Sequence, residues 1–423
     1  MSDTSVPIIG IFADDLTGAL DAAAPFAVGG YRTVVSANWE LPHGAADAEV
    51  VSINLGTRHM NPAEVAVRTS SAVSALAELG PQVMLNKIDS TLRGHPGVEI
   101  ATALIELSAD HAVLCSAYPQ NDRVVENGIL KVNGTPVAET DVGQDQLSPL
   151  LSSKVEEIVL ESLELAGISE RVHLRGNNDD RSVSDLLPVI IAVDAHTDND
   201  LKILAERLIG AKVTAFVAGS AGVSVALAEV LGDSRSGRHL QIPPLTPVGR
   251  TLIVTASQRT IVDEQIKCLG DQINLAQVEI SIDELVQGIG STSMDRISGI
   301  TARERVAVLR VGKLDSSAIL ADGDLQAMAE MIVCNLGQVV RTVTDTTIPD
   351  VLVVIGGDTT SGVLSACGVE SLELQGELQP GTVSGVPANG SISDRLLITR
   401  AGGFGDKNAL LELFSILEFG HGV

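Results

Sequence analysis

Aromatic residues make up only 2% of this 423-residue chain, and cysteine occurs four times. With so few rings, the core has to be packed from Ala, Val, Leu and Ile. That favours β-branched strands covered by Ala/Leu-rich helices. Cys115, Cys268, Cys334 and Cys367 are scattered and form no CxxC pair, so they read as buried thiols in a reducing compartment. Positive charge is also scarce: 28 Lys and Arg stand against 54 Asp and Glu, a net charge of -26, and no long basic run relieves it. Nucleic acid and anionic membranes are excluded as natural partners on that ground. No apolar run reaches the ~20 residues of a membrane helix, and Met-Ser-Asp-Thr-Ser at the start lacks the pattern of a signal peptide. The expectation is a cytoplasmic enzyme. The GxGxxG, P-loop, HExxH and CxxC signatures are missing as well, so the common dinucleotide and metal motifs give nothing.

What is present is alternation. A chain of this length exceeds one ordinary core, so two domains are expected, 1–240 and 241–423. Strands are predicted at Val6–Ala13, Tyr31–Ala37, Glu49–Asn54, Gln82–Ile88, His111–Ala117, Pro188–Asp194 and Lys212–Ala218. Helical patterns lie between several of them, at Asn61–Leu79, Pro96–Ser108, Leu150–Ala166 and Asn199–Ile209. Repeated βα units give an α/β fold with a mostly parallel sheet flanked by helices. Asn133-Gly134, between two short extended runs in Gly128–Thr140, signals a type I′ turn and hence a β-hairpin flap on the N-terminal domain. A basic, then proline-rich stretch, Gly232–Arg250, reads as a linker. Beyond it, strands are expected at Thr251–Thr255, Arg305–Val311, Val351–Ile355 and Leu396–Thr399. Helices are expected at Thr260–Leu269, Asp324–Val340, Ser361–Cys367 and Asn408–Leu417.

Chemistry is concentrated at the strand exits. Asp14 and Asp15 directly follow the apolar first strand, where open α/β sheets present ligands. An Asp there can accept a proton from an attacking hydroxyl or hold a phosphate-bridging metal; alternatively, Asp15 simply caps the helix that starts near Leu16. A second constellation runs from Asn86 to His95 and contains Lys87, Asp89, Ser90, Thr91 and Arg93. Two cations, a carboxylate and two hydroxyls suit a ligand bearing carboxylate and hydroxyl groups, with Arg as a flat fork and Lys as a mobile point charge. Arg58 and Arg123 also follow predicted strands. Four of the six Lys and Arg among residues 1–130 therefore fall at strand exits, which argues for one cationic cleft.

The second half offers glycine and hydroxyl groups instead. Gly356-Gly357-Asp358-Thr359-Thr360-Ser361-Gly362 precedes a helix, and Gly402-Gly403-Phe404-Gly405 and Ala256-Ser257-Gln258-Arg259 follow other strands. Glycines at strand–helix turns let backbone N–H groups approach phosphate, and a helix N-terminus favours anions. A nucleotide site is expected there. Ala218-Gly219-Ser220-Ala221-Gly222 is similar in composition, but reads as close helix–sheet packing.

Together these segments resemble the four-carbon acid sugar kinase family, which phosphorylates threonate, erythronate and 3-oxo-tetronate. The resemblance rests on Ala13-Asp14-Asp15-Leu16-Thr17-Gly18-Ala19 and on Lys87-Ile88-Asp89-Ser90-Thr91-Leu92-Arg93-Gly94. It continues through the hairpin region, Gly219 to Gly222, Gly356 to Thr359, Pro380-Gly381 and Gly402 to Gly405, in the same order. It implies an N-terminal domain that binds the sugar acid and a C-terminal domain that binds ATP through Ser257, Gly356, Gly357, Asp358, Thr359, Gly402, Gly403 and Phe404. The chain departs from the family pattern at Leu20, Ala256, Asp358, Arg400-Ala401 and the residues before Arg123.

The expected reaction is transfer of the ATP γ-phosphoryl group, with Mg2+ as counter-ion, to a hydroxyl of a small sugar acid. Asp15, with Asp14 as its competitor, accepts the hydroxyl proton or holds the metal. Lys87, Arg93 and Arg58 clamp the substrate carboxylate, while Asp89 and Ser90 bind its hydroxyls and Arg123 adds a further cation. Closure of the two domains about the linker assembles the site. No residue set is assigned to a metal, and homo-oligomerisation is left open. Two other classes fit the same features: a sugar-acid sensor that binds ATP without consuming it, and a lyase or isomerase that works without nucleotide.

Overall fold

The apolar runs become buried strands in the computed structural model, which describes residues 9–144, 149–176, 187–211, 215–232, 249–313 and 325–419. The chain divides into two units, Met1–His239 and Leu240–Val423. No helix among the described residues is long and apolar enough to cross a membrane.

The first unit begins β1 (Ile9–Ala13), α1 (Leu16–Val28), β2 (Thr33–Ser36), β3 (Val50–Asn54), α2 (Pro62–Ala77), β4 (Val83–Lys87), α3 (Pro96–Glu106) and β5 (His111–Cys115). It continues with β6 (Arg123–Glu126), β7 (Ile129–Val132), β8 (Thr135–Pro136), α4 (Val155–Leu165), β9 (His173–Arg175), β10 (Val189–Ala192), α5 (Asp198–Ile209), β11 (Ala215–Gly219) and α6 (Ala221–Gly232). Eight strands lie in the order β2-β3-β1-β4-β11-β5-β10-β9, and every pair is parallel. Strands β1 to β4 are buried along their whole length, as expected of a sheet covered on both faces. Each fully buried Val, Leu or Ile contributes about 1.5–3 kcal/mol relative to exposure. The chain goes from β1 to β2 and β3 on one side, then crosses to β4 on the other. The β1 exit is therefore a topological switch point, where a crevice opens.

The predicted hairpin is part of a larger feature. Strands β6, β7 and β8 form a separate antiparallel sheet with two Asn-Gly turns. Asn127 and Gly128 have φ of 52° and 74°, and Asn133 and Gly134 have φ of 50° and 77°. This sheet is tied down: the Asp194 carboxylate accepts from Asn127 N at 2.7 Å and from Gly128 N at 3.0 Å, and Leu130 N donates to Ser153 O at 2.8 Å.

The second unit contains β12 (Thr251–Thr255), α7 (Thr260–Gly270), β13 (Ala276–Ile280), α8 (Ile282–Gln287), α9 (Ser291–Arg303), β14 (Val306–Val311) and α10 (Leu325–Thr346). After these come β15 (Val351–Ile355), α11 (Gly357–Ala366), β16 (Ser371–Gln379), β17 (Thr382–Pro387), β18 (Leu396–Arg400) and α12 (Ala409–Phe419). Strands β13-β14-β12-β15-β18 are parallel, and β17 and β16 follow in antiparallel pairing. The chain leaves β12 for β13 and β14, then crosses to β15. A second switch point thus lies between the β12 and β15 exits.

Several elements escaped the sequence reading. Strand β13 is polar at alternate positions, as befits an edge, and α8 and α9 are joined by the short turn Gly288-Ile289-Gly290. Strand β16 has its register broken between Leu374 and Gly376. Helix α11 also starts earlier than expected. Gly356 has φ 111° and turns the chain in one residue, so Gly357, Asp358 and Thr359 form the first helical turn and not a loop. The reading of Gly219 to Gly222 as close packing agrees with the coordinates. A Cβ on Gly222 would lie 3.0 Å from Ala117 O, and one on Gly219 would lie 2.7 Å from the Val223 side chain. Residues 6–8, 212–214, 233–248 and 324, which fall within predicted strands, the linker and a helix, lie outside the described residues.

Candidate functional site

The exits of β3, β1 and β4 are neighbours in the first sheet, and their polar residues meet there. Asp15 is extended (φ -142°) and caps α1, with its side chain accepting from Gly18 N at 2.6 Å. A Cβ on Gly18 would fall 2.7 Å from Asp15 Oδ1 and 3.3 Å from Lys87 Nζ, so glycine is what lets the cap and the lysine share that space. Capping and chemistry are not alternatives, because Asp15 Oδ2 also accepts from Arg58 Nη1 at 2.5 Å.

Arg58 is the hub. Its Nε and Nη2 donate to the two oxygens of Asp14 at 2.7 and 3.0 Å, a bidentate fork. Its Nη2 also lies 4.0 Å from Asp89 Oδ1. Backbone contacts fix the same join, with Thr57 N donating to Asp14 O at 2.8 Å. Asp89 receives Arg93 through Nε at 2.9 Å and Nη2 at 3.1 Å, together with the Thr91 hydroxyl. Between them Leu92, buried, takes a left-handed φ of 63°. That conformation costs about 1–2 kcal/mol for a non-glycine residue, and it folds Arg93 back onto Asp89.

The electrostatics follow from burial. Desolvation raises the Asp14 carboxyl against the lowering effect of Arg58. Burial also pushes Asp89 upward, but Arg58, Arg93 and Thr91 outweigh it and hold Asp89 far below the usual carboxylate range. Burial works against the Arg58 charge, yet Asp14, Asp15 and Asp89 keep it firmly protonated.

Lys87 is buried, and among the described residues its Nζ makes one hydrogen bond, to Ile88 O at 3.1 Å. It is thus the cation of the group with donors to offer a ligand. Ser90 is half-buried beside Asp89. Arg123 opens β6, its Nη1 donates to Asn121 O, and among the described residues no hydrogen bond or ion pair joins it to Asp14, Asp15 or Asp89. Sequence reading missed Glu99 in the first turn of α3, which accepts from Thr57 and Asn86. Its one visible signal is a carboxylate on the buried face of an otherwise apolar helix.

In the second unit the three expected segments converge. Gly356 N donates to Arg400 O at 2.8 Å, Ala256 N to Thr359 Oγ1 at 3.3 Å, and Thr255 Oγ1 to Ile355 O at 3.1 Å. A Cβ on Gly402 would sit 3.2 Å from Ser257 Oγ and 3.9 Å from Gly356 Cα, and one on Gly403 would sit 2.6 Å from Arg259 Nη1. Ser257, Gly356 and Gly402 therefore line one cradle, which any side chain would fill. Beneath the 402–406 loop, buried Arg400 donates from Nη2 to Phe404 O at 2.7 Å. Buried Gln265 donates to Phe404 O at 3.1 Å and Asp406 O at 2.9 Å. Asp358 is exposed in the first turn of α11. No group of three or more His, Cys, Asp or Glu able to hold a metal occurs among the described residues.

One unit carries a buried acid–guanidinium cluster at a switch point and the other a glycine-lined turn at a helix N-terminus, features that a phosphotransferase can use. Comparison with known proteins agrees. Residues 9–227 match a sugar-binding N-terminal domain and residues 252–410 a nucleotide-binding C-terminal domain, and the chain belongs to this family of four-carbon acid sugar kinases. It is 26% identical to a D-threonate kinase of Salmonella typhimurium, over 96% of this chain and 98% of the relative. It is 27% identical to a D-erythronate kinase of Heliobacterium modesticaldum, over 94% of each. A crystal structure of a Haemophilus influenzae protein shares the fold, with a TM-score of 0.70 at 18% identity, over 96% of this chain and 100% of that one.

Proposed function

We propose that this enzyme transfers the γ-phosphoryl group of ATP to a hydroxyl of a tetronate or 3-oxo-tetronate. The observation that carries the reading is the Asp14–Arg58–Asp15 network at the switch point of the sugar-binding unit. It fixes two carboxylates at a strand exit, one of them accessible: the Asp15 side chain is 28% exposed, against 4% for Asp14. Asp15 is the group that takes the hydroxyl proton, and Asp14 holds Arg58, which orients Asp15. Lys87 meets the substrate's anionic end, with Arg93 as a further cation. Asp89 and Ser90 bind its hydroxyls. Phosphoryl transfer depends on such positioning and charge neutralisation more than on a strong base.

The cradle of the second unit fits a nucleotide. Ser257, Gly356, Gly357, Thr359, Gly402, Gly403 and Phe404 would contact it, and the N-terminus of α11 would favour its phosphates. Mg2+ keeps most of its waters and takes one or two carboxylates besides substrate phosphates. Asp358 is the carboxylate the cradle offers, and the ion would neutralise phosphate charge there. The test is ADP formation by the purified chain with ATP, Mg2+ and a panel of threonate, erythronate and 3-oxo-tetronate isomers. ADP release that depends on one of these acids is expected; none with any of them overturns the reading.

A further inference from the structure

Glu99 is buried at 1% exposure, and its two oxygens brace two strand exits. Oε1 accepts from Thr57 Oγ1 at 2.9 Å and Oε2 from Asn86 Nδ2 at 3.0 Å. Thr57 precedes Arg58 and is bonded through its backbone to Asp14. Asn86 precedes Lys87 and sits in β4 between Phe12 of β1 and Ala218 of β11. The carboxyl thus ties the segment carrying the guanidinium hub to the strand carrying the lysine. It has no cation of its own, since Arg58 is committed to Asp14 and Asp15.

Charge makes the second half of the argument. Asp14, Asp15, Asp89 and Glu99 are four carboxyls, and Arg58, Lys87 and Arg93 are three cations. A carboxylate buried at 1% exposure without a cation of its own is expensive, and one proton removes that charge. Glu99 is the carboxyl that no cation touches. The charged groups facing it are Asp14 from the β1 exit and Arg58 from the β3 exit. The buried face of α2 (Val65, Thr69, Ala72, Val73 and Leu76) is uncharged, as are Val159, Ser162 and Leu163 of α4, packed at Gly97. Asn86 Oδ1 is buried without a partner; turning that amide over lets it accept the proton from Glu99.

We propose that Glu99 is a positioning residue of the sugar-acid site that works in its protonated form, bracing the Thr57–Arg58 turn against β4 while leaving the cluster neutral. This rests on the sugar-acid reading above. Burial first, and the Asp14 charge second, push this carboxyl up from 4.5 to about 8. A raised folded value means that the folded chain keeps a proton the unfolded chain releases. Stability therefore falls as pH rises between those two values and is level outside them.

The experiment compares the full chain with Glu99→Gln and Glu99→Ala. Thermal unfolding followed from about pH 5 to about pH 8 should show a steeper fall of Tm in the wild type than in E99Q. In turnover, the wild type should lose activity by up to about tenfold per pH unit above its titration, and E99Q should lose that limb. E99A should lower kcat by at least about tenfold, with recovery by Gln. Parallel Tm curves, an unchanged alkaline limb in E99Q, or an E99A chain with full kcat would overturn the proposal. If E99Q does not fold, carboxyl 13C NMR of the wild type decides: one Glu titrating near 8 supports it, and all titrating near 4.5 refutes it. The unfolding and NMR arms need no substrate. Glu99 is therefore judged even if no sugar acid is phosphorylated, a result that would retire the kinase reading alone.

Discussion

The two units gather polar groups at a switch point with opposite chemistry. The first packs Asp14, Asp15, Arg58, Asp89 and Arg93 into a network of charge-assisted bonds. The second removes side chains and brings Gly356, Gly402 and the Ser257 hydroxyl close together, a Cβ on Gly402 lying 3.2 Å from Ser257 Oγ. Buried charges are tightly coupled and costly to break, whereas a backbone cradle tolerates change as long as it stays empty. Damage to the first unit should therefore appear in kcat and stability together, and damage to the second mainly in nucleotide KM.

The most severe break is at the accessible acid. Asp15→Asn removes the proposed proton acceptor and should lower kcat by about 10²–10⁴. Its amide oxygen still accepts from Gly18 N, so far-UV circular dichroism should not change. Activity within a few-fold of wild type would take Asp15 out of the mechanism. Next comes the hub. Arg58→Ala leaves Asp14 buried without its fork and should cost about 3–5 kcal/mol in urea unfolding at neutral pH. Adding Asp14→Asn to it should restore part of that loss, because the orphaned charge goes too. Arg58→Lys should rescue poorly, since an ammonium cannot match the bidentate geometry.

The cradle gives the contrast. A methyl group on Gly402 would be tight only against Ser257 Oγ at 3.2 Å, with Ser257 Cβ at 3.7 Å and Gly356 Cα at 3.9 Å in ordinary contact, so Gly402→Ala should leave Tm almost unchanged. On the proposed reading it intrudes on the nucleotide seat, and the ATP KM should rise by about tenfold, equivalent to about 1.4 kcal/mol. Sugar-acid KM should stay put. Steady-state kinetics with each substrate varied in turn would check this, and a matching rise in both KM values would dissolve the distinction between the units.

Legibility in the sequence followed the same division. Paired acids after an apolar strand, and Lys87, Asp89 and Arg93 near a strand end, are visible as residue types, and the exits do bring Asp14, Asp15, Arg58, Asp89 and Arg93 together. What spacing cannot show is commitment: Arg58 and Arg93 read as cations awaiting a substrate carboxylate, yet they bond to the neighbouring acids. The carboxylate of Glu99 on a buried helix face was visible, but its role was not, because that comes from Thr57 and Asn86 on two other strand exits. Parallel strands buried on both faces were readable as apolar runs. Edge strand β13 and the bulged β16 were not, because half of each faces solvent and their periodicity is diluted by Gln, Glu and Gly.

The mildest prediction tests whether the small sheet belongs with either site. Gly134 holds φ 77° with nothing within 4 Å of where a Cβ would stand. Gly134→Ala therefore meets no steric obstacle, and its cost is the left-handed backbone alone, about 1–2 kcal/mol. Because Asp194 and Ser153 anchor the sheet at its other turn and along β7, that strain should stay local. Chemical denaturation should report the loss, while kcat and both KM values remain as in the wild type. A rise in sugar-acid KM would instead place the β7–β8 turn, and Arg123 at the head of β6, in the substrate seat.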